Sequence, residues 1–290
     1  MTESLTQVQQ VIEPGPPNNW RTTALRAEAQ QLFVHKKGRG PAILLLHGWS
    51  HSSEIWDAVM DRLCGTFQLM APDWPGFGCS RPLETRGPLV DAYAGLLATA
   101  LRGRGSEGLA CLVADSLGAI VALRLGSNET IRCPVVLSGC PAFGLPAGLR
   151  LLAVPGLVSL GFRTLHALPP TFAAPLARLA VRFTVNHPTP ATATLVKGIM
   201  GADPKTAGRL FRELCRPIPR ASIPSRLGTR ATILRGARDW VAPRGPSLTL
   251  AGLLGARYVE VPGASHTPMV EAPRQYAEEI KRTIAPDREV

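Results

Sequence analysis

Leu112–Gly118 reads L-V-A-D-S-L-G. The short apolar run Leu109–Val113 just before it predicts a buried strand, and Leu117–Leu125 has the character of a helix. A strand therefore leads directly into Ser116, and a helix follows at once. Strands that alternate with helices in this way are typical of α/β folds built on a parallel sheet.

Ser116 is a candidate nucleophile on this turn. Its neighbours two residues away, Ala114 and Gly118, are small, which suits a turn where the strand and helix backbones crowd together. Such a turn presents the serine hydroxyl at the carboxyl edge of the sheet, above a helix N-terminus. A serine that only caps the helix is the alternative. The strand before Ser116 and the helix after it favour the nucleophile.

The alternation of strands and helices continues on both sides of this turn. Continuous apolar strands between helices indicate a mostly parallel sheet with helices on both faces. The other predicted strands are Gln31–His35, Ala42–Leu46, Phe67–Ala71, Val135–Ser138, Ala231–Leu234 and Tyr258–Val261, and the other predicted helices are Ile55–Leu63, Leu89–Leu101, Leu248–Leu254 and Gln275–Ile284.

The alternation stops between residues 141 and 228 and then resumes. That stretch is rich in proline, helical in character and without clear strands. We interpret it as a helical cap inserted into an α/β core made of residues 21–140 and 229–290. Residues 1–20 contain three prolines and predict a tail without regular structure.

Composition predicts a globular, cytoplasmic protein. Of the 290 residues, 45% are apolar and 18% are charged, which excludes global disorder. The six cysteines form no zinc-type spacing, so we expect reduced thiols, no metal and no cofactor. The first twenty residues lack the pattern of a secretory signal. The longest strongly apolar stretch, Leu151–Phe162, is too short to span a bilayer and is interrupted by Pro155.

The strand Ala42–Leu46 runs into His47-Gly48-Trp49-Ser50, and Asp73–Ser80 reads D-W-P-G-F-G-C-S. With the serine turn downstream, the chain here resembles the α/β-hydrolase superfamily, and within it the pimeloyl-carrier-protein methyl ester esterase type. The resemblance implies that the backbone N–H groups of Trp49 and Leu117 stabilise a tetrahedral oxyanion. It also implies that His47 and Gly48 lie at the pocket and that Asp73–Ser80 is structural.

The superfamily orders its catalytic residues as serine, acid and histidine. Asp239 follows the strand Ala231–Leu234 in the pattern G-x-x-D, whereas the competing position at Val135–Cys140 carries no carboxylate. His266 follows the late strand Tyr258–Val261 and precedes the sequence E-A-P. The resemblance therefore implies a triad of Ser116, Asp239 and His266, with histidine as general base and aspartate as its partner.

Several activities are compatible with this triad. The first is hydrolysis of a carboxylic ester or thioester through an acyl-enzyme. Lyases, cyclising thioesterases and acyltransferases of the same superfamily keep the triad, and a non-catalytic ligand-binding protein is a further alternative. A serine on the turn argues against haloalkane dehalogenase and epoxide hydrolase chemistry, for which the superfamily uses aspartate there. Asp115, next to Ser116, is expected to be an exposed side chain. If it points into the pocket instead, it disfavours anionic groups near the reacting carbon.

Positive charge is concentrated in the predicted cap. The chain has a net charge of +11, and residues 141–228 hold eleven basic and two acidic side chains, a net +9. The charge indicates a solvated arginine-rich surface, a docking site for an acidic acyl carrier protein or coenzyme A, or contact with an anionic membrane. No nucleic-acid-binding motif is present. The apolar runs Leu151–Phe162 and Phe172–Phe183 are expected to line a hydrophobic acyl pocket, and they also have the composition of interfacial helices.

Overall fold

A computed structural model describes residues 12–13, 21–27, 30–102, 108–126 and 131–285. Within these residues the strands form one nine-stranded sheet with the order β1-β2-β3-β5-β4-β6-β7-β8-β9. The predicted tail lies outside the described residues, apart from the two residues of β1. The strands are β1 (Ile12–Glu13), β2 (Arg21–Ala27), β3 (Gln30–Lys37), β4 (Ala42–Leu46), β5 (Gln68–Pro72), β6 (Leu109–Asp115), β7 (Val135–Ser138), β8 (Ala231–Gly236) and β9 (Arg257–Val261).

The helices cover the sheet and form the segment between β7 and β8. Short 3-10 turns occur at Ser53–Trp56 and Arg220–Ser222. The α-helices of the described residues are α1 (Asp57–Leu63), α2 (Leu89–Arg102), α3 (Leu117–Gly126), α4 (Ala147–Arg150), α5 (Leu157–Ala167), α6 (Pro170–Val181), α7 (Thr192–Gly201), α8 (Pro204–Leu214), α9 (Arg244–Leu254), α10 (Pro268–Glu271) and α11 (Pro273–Ile284).

The predicted α/β fold with a mostly parallel sheet is confirmed. Each strand predicted from sequence is present, with ends that move by a few residues. Strands β4 to β9 are mutually parallel where they pair, whereas β1, β2 and β3 pair antiparallel at one edge. The sequence did not predict β2, because R-T-T-A-L-R-A contains only one large apolar side chain and no alternation.

Alternate side chains of the central strands pack on opposite faces of the sheet. In β4, Leu44 and Leu46 join the core beneath α2 and α3, whereas Ile43 and Leu45 join the core beneath α1 and α11. All four are buried. Burying one such side chain stabilises the fold by about 1.5–3 kcal/mol. This two-sided burial explains the unbroken apolar run A-I-L-L-L.

The segment predicted as a cap, residues 141–228, is described throughout, and none of its residues is in a strand. It holds α4 to α8 and contacts the core through Glu213, whose carboxylate accepts hydrogen bonds from the Leu89 and Val90 amides at the start of α2, both at 2.9 Å. These bonds satisfy backbone donors that a helix N-terminus leaves free. The division into core and cap at these boundaries stays a prediction.

The expectation that the two apolar runs of the cap, Leu151–Phe162 and Phe172–Phe183, line a pocket is wrong for most of their side chains. Most of their large side chains are exposed, including Leu151, Leu160 and Phe172, whereas Val181 is buried and Phe162 is buried beside Trp49. In α6 the buried positions hold the small side chains Ala173 and Ala177, so the large side chains of this helix face outward. No helix of the described residues is long and apolar enough to cross a membrane.

Candidate active site

The carboxyl ends of the parallel strands bring three sequence-distant residues to one edge of the sheet. Ser116 directly follows β6, Asp239 follows β8 and His266 follows β9. These strands share one sheet and one direction, so the segments after them converge at the same edge, where α/β proteins form their sites.

Ser116, His266 and Asp239 form a chain of hydrogen bonds at that edge. The Ser116 Oγ lies 3.2 Å from His266 Nε2, and His266 Nδ1 lies 2.9 Å from Asp239 Oδ2. The serine and histidine are each 5% exposed and the aspartate 1% exposed. The structure thus brings together the three residues predicted as a triad, in the order and spacing that nucleophile, base and acid require.

The Ser116 backbone has a left-handed conformation with a φ of 48°. A serine in this region is strained, by about 1–3 kcal/mol, and such residues persist where surrounding contacts hold them. Here the Ser116 amide donates to Ser138 O at 2.9 Å. Gly118 is required by space, since an added Cβ would lie 2.6 Å from Leu46 O. The small residue expected two positions after the serine therefore has a steric cause.

Asp239 is held on both sides of its carboxylate. Its Oδ1 accepts hydrogen bonds from the Val241 and Ala242 amides at 2.8 and 2.9 Å, which leaves Oδ2 for His266. The buried Arg235 guanidinium donates to Asp239 O at 2.6 Å and to Glu260 Oε1 at 3.0 Å, fixing the loop. Sequence reasoning missed Arg235, although a cation inside the apolar strand A-T-I-L-R-G was a signal for it.

The His266 loop is tied to the segment that follows α6. The His266 amide donates to Thr184 O at 3.1 Å. Glu271 accepts from the Ser265 and Asn186 amides, each at 2.7 Å, and so links the same two segments. Burial lowers the pKa of His266, but the charge and hydrogen bond of Asp239 outweigh burial and raise it above the ordinary value. Asp239 therefore stabilises the imidazolium that a general base becomes.

The His47 side chain is buried and hydrogen-bonded within the loop after β4, so it does not line a pocket. Its Nε2 accepts from the Trp74 amide at 3.0 Å, so Nδ1 carries the proton and donates to Gly48 O at 2.8 Å. Burial lowers the pKa of His47, which keeps the imidazole neutral. Gly48 lies against Ser116, since an added Cβ would be 3.2 Å from Ser116 Cβ.

Trp49 connects this loop to the cap. Its indole Nε1 donates to Ala207 O in α8 at 2.9 Å, and its ring contacts Phe162 and Phe211 with centroid distances of 5.7 and 5.4 Å. Within the described residues, neither the Trp49 amide nor the Leu117 amide is engaged in a hydrogen bond. Leu117 begins α3, so its N–H is one of the free donors at a helix start.

Asp115 is fully buried, which corrects the expectation of an exposed side chain. Alternation along β6 sends it to the face of Cys111 and Val113, away from solvent. Its Oδ2 lies 4.0 Å from His51 Nδ1, and neither carboxylate oxygen has a hydrogen-bond partner among the described residues. Burial lowers the pKa of His51 to about 3, so the neighbouring imidazole is neutral and supplies no charge.

Burial raises the pKa of Asp115 to about 7. The charge of Asp239 adds to this increase, and that of His266 opposes it. Ionised Asp115 therefore destabilises the folded state.

We expect Asp115→Asn to stabilise the protein at alkaline pH. A folded pKa near 7, against the ordinary 3.8, favours the protonated form. The contribution of Asp115 to stability is thus largest below pH 4 and is lost as pH rises through 7, by about 4 kcal/mol. The melting temperature of Asp115→Asn should exceed that of wild type by roughly 5–10 °C at pH 8 and by much less at pH 5.

Asp61→Asn is the matched control, because the Asp61 side chain is 56% exposed. Its melting temperature should differ from that of wild type by the same small amount at both pH values. An Asp115→Asn protein that gains nothing between pH 5 and pH 8 would contradict the destabilising role of the buried carboxylate.

Comparisons with known proteins bear on the family and the fold of this chain. The family model described as the alpha/beta hydrolase family matches residues 43–279. A pimeloyl-acyl-carrier-protein methyl ester esterase from Proteus mirabilis is 24% identical over 273 residues, covering 86% of this chain and 95% of the relative. One of the same name from Nitrosomonas europaea is 32% identical over 114 residues, covering 39% of this chain and 42% of the relative.

The solved structures show the same architecture. An esterase from Rhodococcus superposes with a TM-score of 0.73 at 21% identity, covering 92% of this chain and 98% of the other. At this identity the likeness concerns the fold. The family model, in contrast, spans the described site from β4 to α11. The chain therefore belongs to the alpha/beta hydrolase family.

Proposed function

We propose that this protein is a serine hydrolase that cleaves a carboxylic ester or thioester carrying a hydrophobic group. The observation that supports it best is the hydrogen-bond chain from Ser116 through His266 to Asp239. The Asp239 carboxylate accepts hydrogen bonds from two backbone amides through Oδ1 and faces the imidazole through Oδ2, which fixes its orientation toward the histidine.

In the proposed mechanism, His266 Nε2 takes the proton of Ser116 as the oxygen attacks the carbonyl carbon. Asp239 holds the ring with Nδ1 protonated and stabilises its positive charge. The Trp49 and Leu117 amides donate to the oxyanion, an interaction worth several kcal/mol when it forms in the transition state. His266 then protonates the leaving alcohol or thiol, and water, activated by the same histidine, cleaves the acyl-enzyme.

The surroundings support a hydrophobic substrate. Trp49, whose amide would bind the oxyanion, packs its ring against Phe162 and Phe211 of the cap. Residues 141–228 would then cover the reacting atoms, in agreement with the low exposure of Ser116 and His266. The names of the relatives suggest a carrier-bound ester as one substrate to test, and the net charge of +9 on the cap would favour an acidic carrier.

A series of p-nitrophenyl esters from acetyl to dodecanoyl tests the proposal. We expect a burst of p-nitrophenol equal to the enzyme concentration where deacylation is slow, and stoichiometric labelling by a fluorophosphonate at Ser116. The acyl length with the highest kcat/KM then indicates the length of the acyl pocket. A methyl ester on acyl carrier protein tests whether a carrier improves kcat/KM. A folded protein that neither turns over esters nor reacts with the fluorophosphonate would overturn the hydrolase proposal.

Acyl transfer to another acceptor is the second outcome of the same experiment. Labelling at Ser116 with hydrolysis that is slow, but accelerated by an added alcohol or thiol, would indicate a transferase. The acyl-enzyme is common to both activities, so only the acceptor separates them.

A further inference from the structure

Large apolar side chains are exposed mainly on one part of the cap. Of the twelve large hydrophobic residues that are exposed in the described part of the chain, nine lie between residues 151 and 183. We call these nine the outer cap face. They are Leu151, Leu152, Val154, Leu157, Leu160, Phe172, Leu176, Leu179 and Phe183, and Leu151 is 77% exposed.

The large apolar side chains of helix α6 lie on its exposed side, whereas a helix of a soluble protein usually buries them. Phe172, Leu176, Leu179 and Phe183 are spaced by four, three and four residues, which places them on one side of the helix and its C-terminal turn. Their exposed fractions are 65%, 50%, 57% and 62%. The buried positions of the helix hold the smaller side chains of Ala173, Ala177 and Val181.

The segment that carries the outer cap face has only positive charges. Residues 131–202 contain no aspartate or glutamate, and Arg163, Arg178 and Arg182 are exposed among the apolar side chains. Two copies of this chain would bring like charges together, which disfavours a dimer through this face. A partner must therefore combine an apolar interior with negative charge at its surface.

The outer cap face ends beside the triad. The Trp240 indole, 42% exposed, donates to Phe183 O at 2.6 Å, and Trp240 directly follows Asp239 in the chain. The next carbonyl, Thr184 O, accepts from the His266 amide. An apolar molecule held at this face would therefore be adjacent to the loops that carry the acid and the base.

We propose that the outer cap face docks on an anionic lipid surface. Helix α6 would lie parallel to the membrane, with its apolar side chains among the acyl chains and Arg178 and Arg182 at the headgroups. This is the arrangement of interfacial amphipathic helices, and arginine suits it because its stem is apolar and its head charged. The proposal concerns where the protein sits and does not depend on the proposed hydrolase activity.

Vesicle sedimentation tests the proposal with Ser116→Ala protein, so that no lipid is cleaved. We expect binding to equimolar phosphatidylglycerol and phosphatidylcholine, weak binding to phosphatidylcholine alone, and loss of binding in about 0.5 M salt. Arg178→Gln with Arg182→Gln should lower the partition coefficient about 30-fold. Phe172→Ser with Leu179→Ser should lower it by more than about 10-fold.

Matched controls are exposed residues of the α/β part of the chain, outside the cap. Leu248→Ser with Leu253→Ser removes two exposed leucines of α9, and Arg274→Gln removes an exposed arginine of α11. Both controls should bind vesicles as the parent protein does, and Trp240 should shift its emission to the blue in all the proteins that bind. Light scattering on the free proteins monitors their oligomeric state.

Three results would overturn the proposal. The first is a folded protein that does not bind the anionic vesicles, and the second is equal loss of binding in the controls and the face variants. The third is a concentration-dependent dimer, or a complex with acyl carrier protein, that the face variants abolish in the absence of vesicle binding. Esterase activity of the wild type is measured separately, so failure to bind lipid and failure to hydrolyse esters are distinguishable.

Discussion

Ser116→Ala is expected to lower kcat/KM for the best p-nitrophenyl ester by about 10⁴-fold or more. The alanine removes the only oxygen within 3.2 Å of His266 Nε2 that the described contacts show, so no acyl-enzyme can form. The proposed oxyanion donors and the cap remain, and they account for the small activity that would be left. Steady-state rates of the purified variant and wild type measure the loss. Fluorophosphonate labelling should be absent in Ser116→Ala.

Ser53→Ala is the control for Ser116→Ala. Ser53 is also a fully buried serine, and its hydroxyl has no hydrogen-bond partner among the described residues. Its removal should leave kcat/KM within a few-fold of wild type. If Ser116→Ala retains full activity while its melting temperature is unchanged, another residue is the nucleophile and the proposed mechanism is wrong.

Asp239→Asn is expected to lower kcat by about 10³–10⁴-fold with little change in KM. The asparagine oxygen can keep the bonds from the Val241 and Ala242 amides, which turns its NH₂ group toward His266. That donor requires an unprotonated Nδ1, so Nε2 carries the proton and cannot accept one from Ser116. The fold stays intact because the loop keeps its amide bonds and the donation from Arg235.

The pH dependence distinguishes this tautomer effect from simple misfolding. Asp239 raises the pKa of His266 in the wild type, and the neutral imidazole is the base, so activity should increase with pH through a midpoint above 6.5. In Asp239→Asn the remaining activity should increase through a lower midpoint. An unchanged midpoint and unchanged kcat would show that Asp239 is not the partner of the histidine. Asp61→Asn, at an exposed position, should leave both quantities unaltered.

The three positions of the proposed triad could be predicted from sequence because the resemblance implies their order and each follows a strand. An apolar run of four or five residues predicts a strand, and the strand ends where the run ends. A parallel sheet brings the carboxyl ends of its strands together whatever their distance along the chain. The residues that hold the triad in place could not be found in the same way. Glu271 acts through backbone amides of two segments that meet only after folding, and nothing local to the sequence E-A-P reveals Asn186 as a partner.

The direction in which a side chain points was the second feature that could not be predicted from sequence. Asp115 stands next to Ser116 in sequence, but the alternation of β6 and the turn that follows send the two side chains to different surroundings. In the cap, the sequence predicted helical character, but it could not tell which side of each helix faces the core. In α6 the small residues Ala173 and Ala177 are buried, whereas the large side chains Phe172 and Leu179 are exposed.

The pairing of β7 with β8 has a consequence for how the chain acquires its structure. These two strands are neighbours in the sheet, but the whole cap separates them in sequence. During synthesis, β7 stays an open edge with unpaired backbone groups until β8 has emerged, and open edges invite association with other chains. Contacts between distant segments also slow folding. Asp239 and His266 join Ser116 only at that late stage, so a ribosome-bound chain that has completed the cap still lacks two of the three residues of the proposed triad.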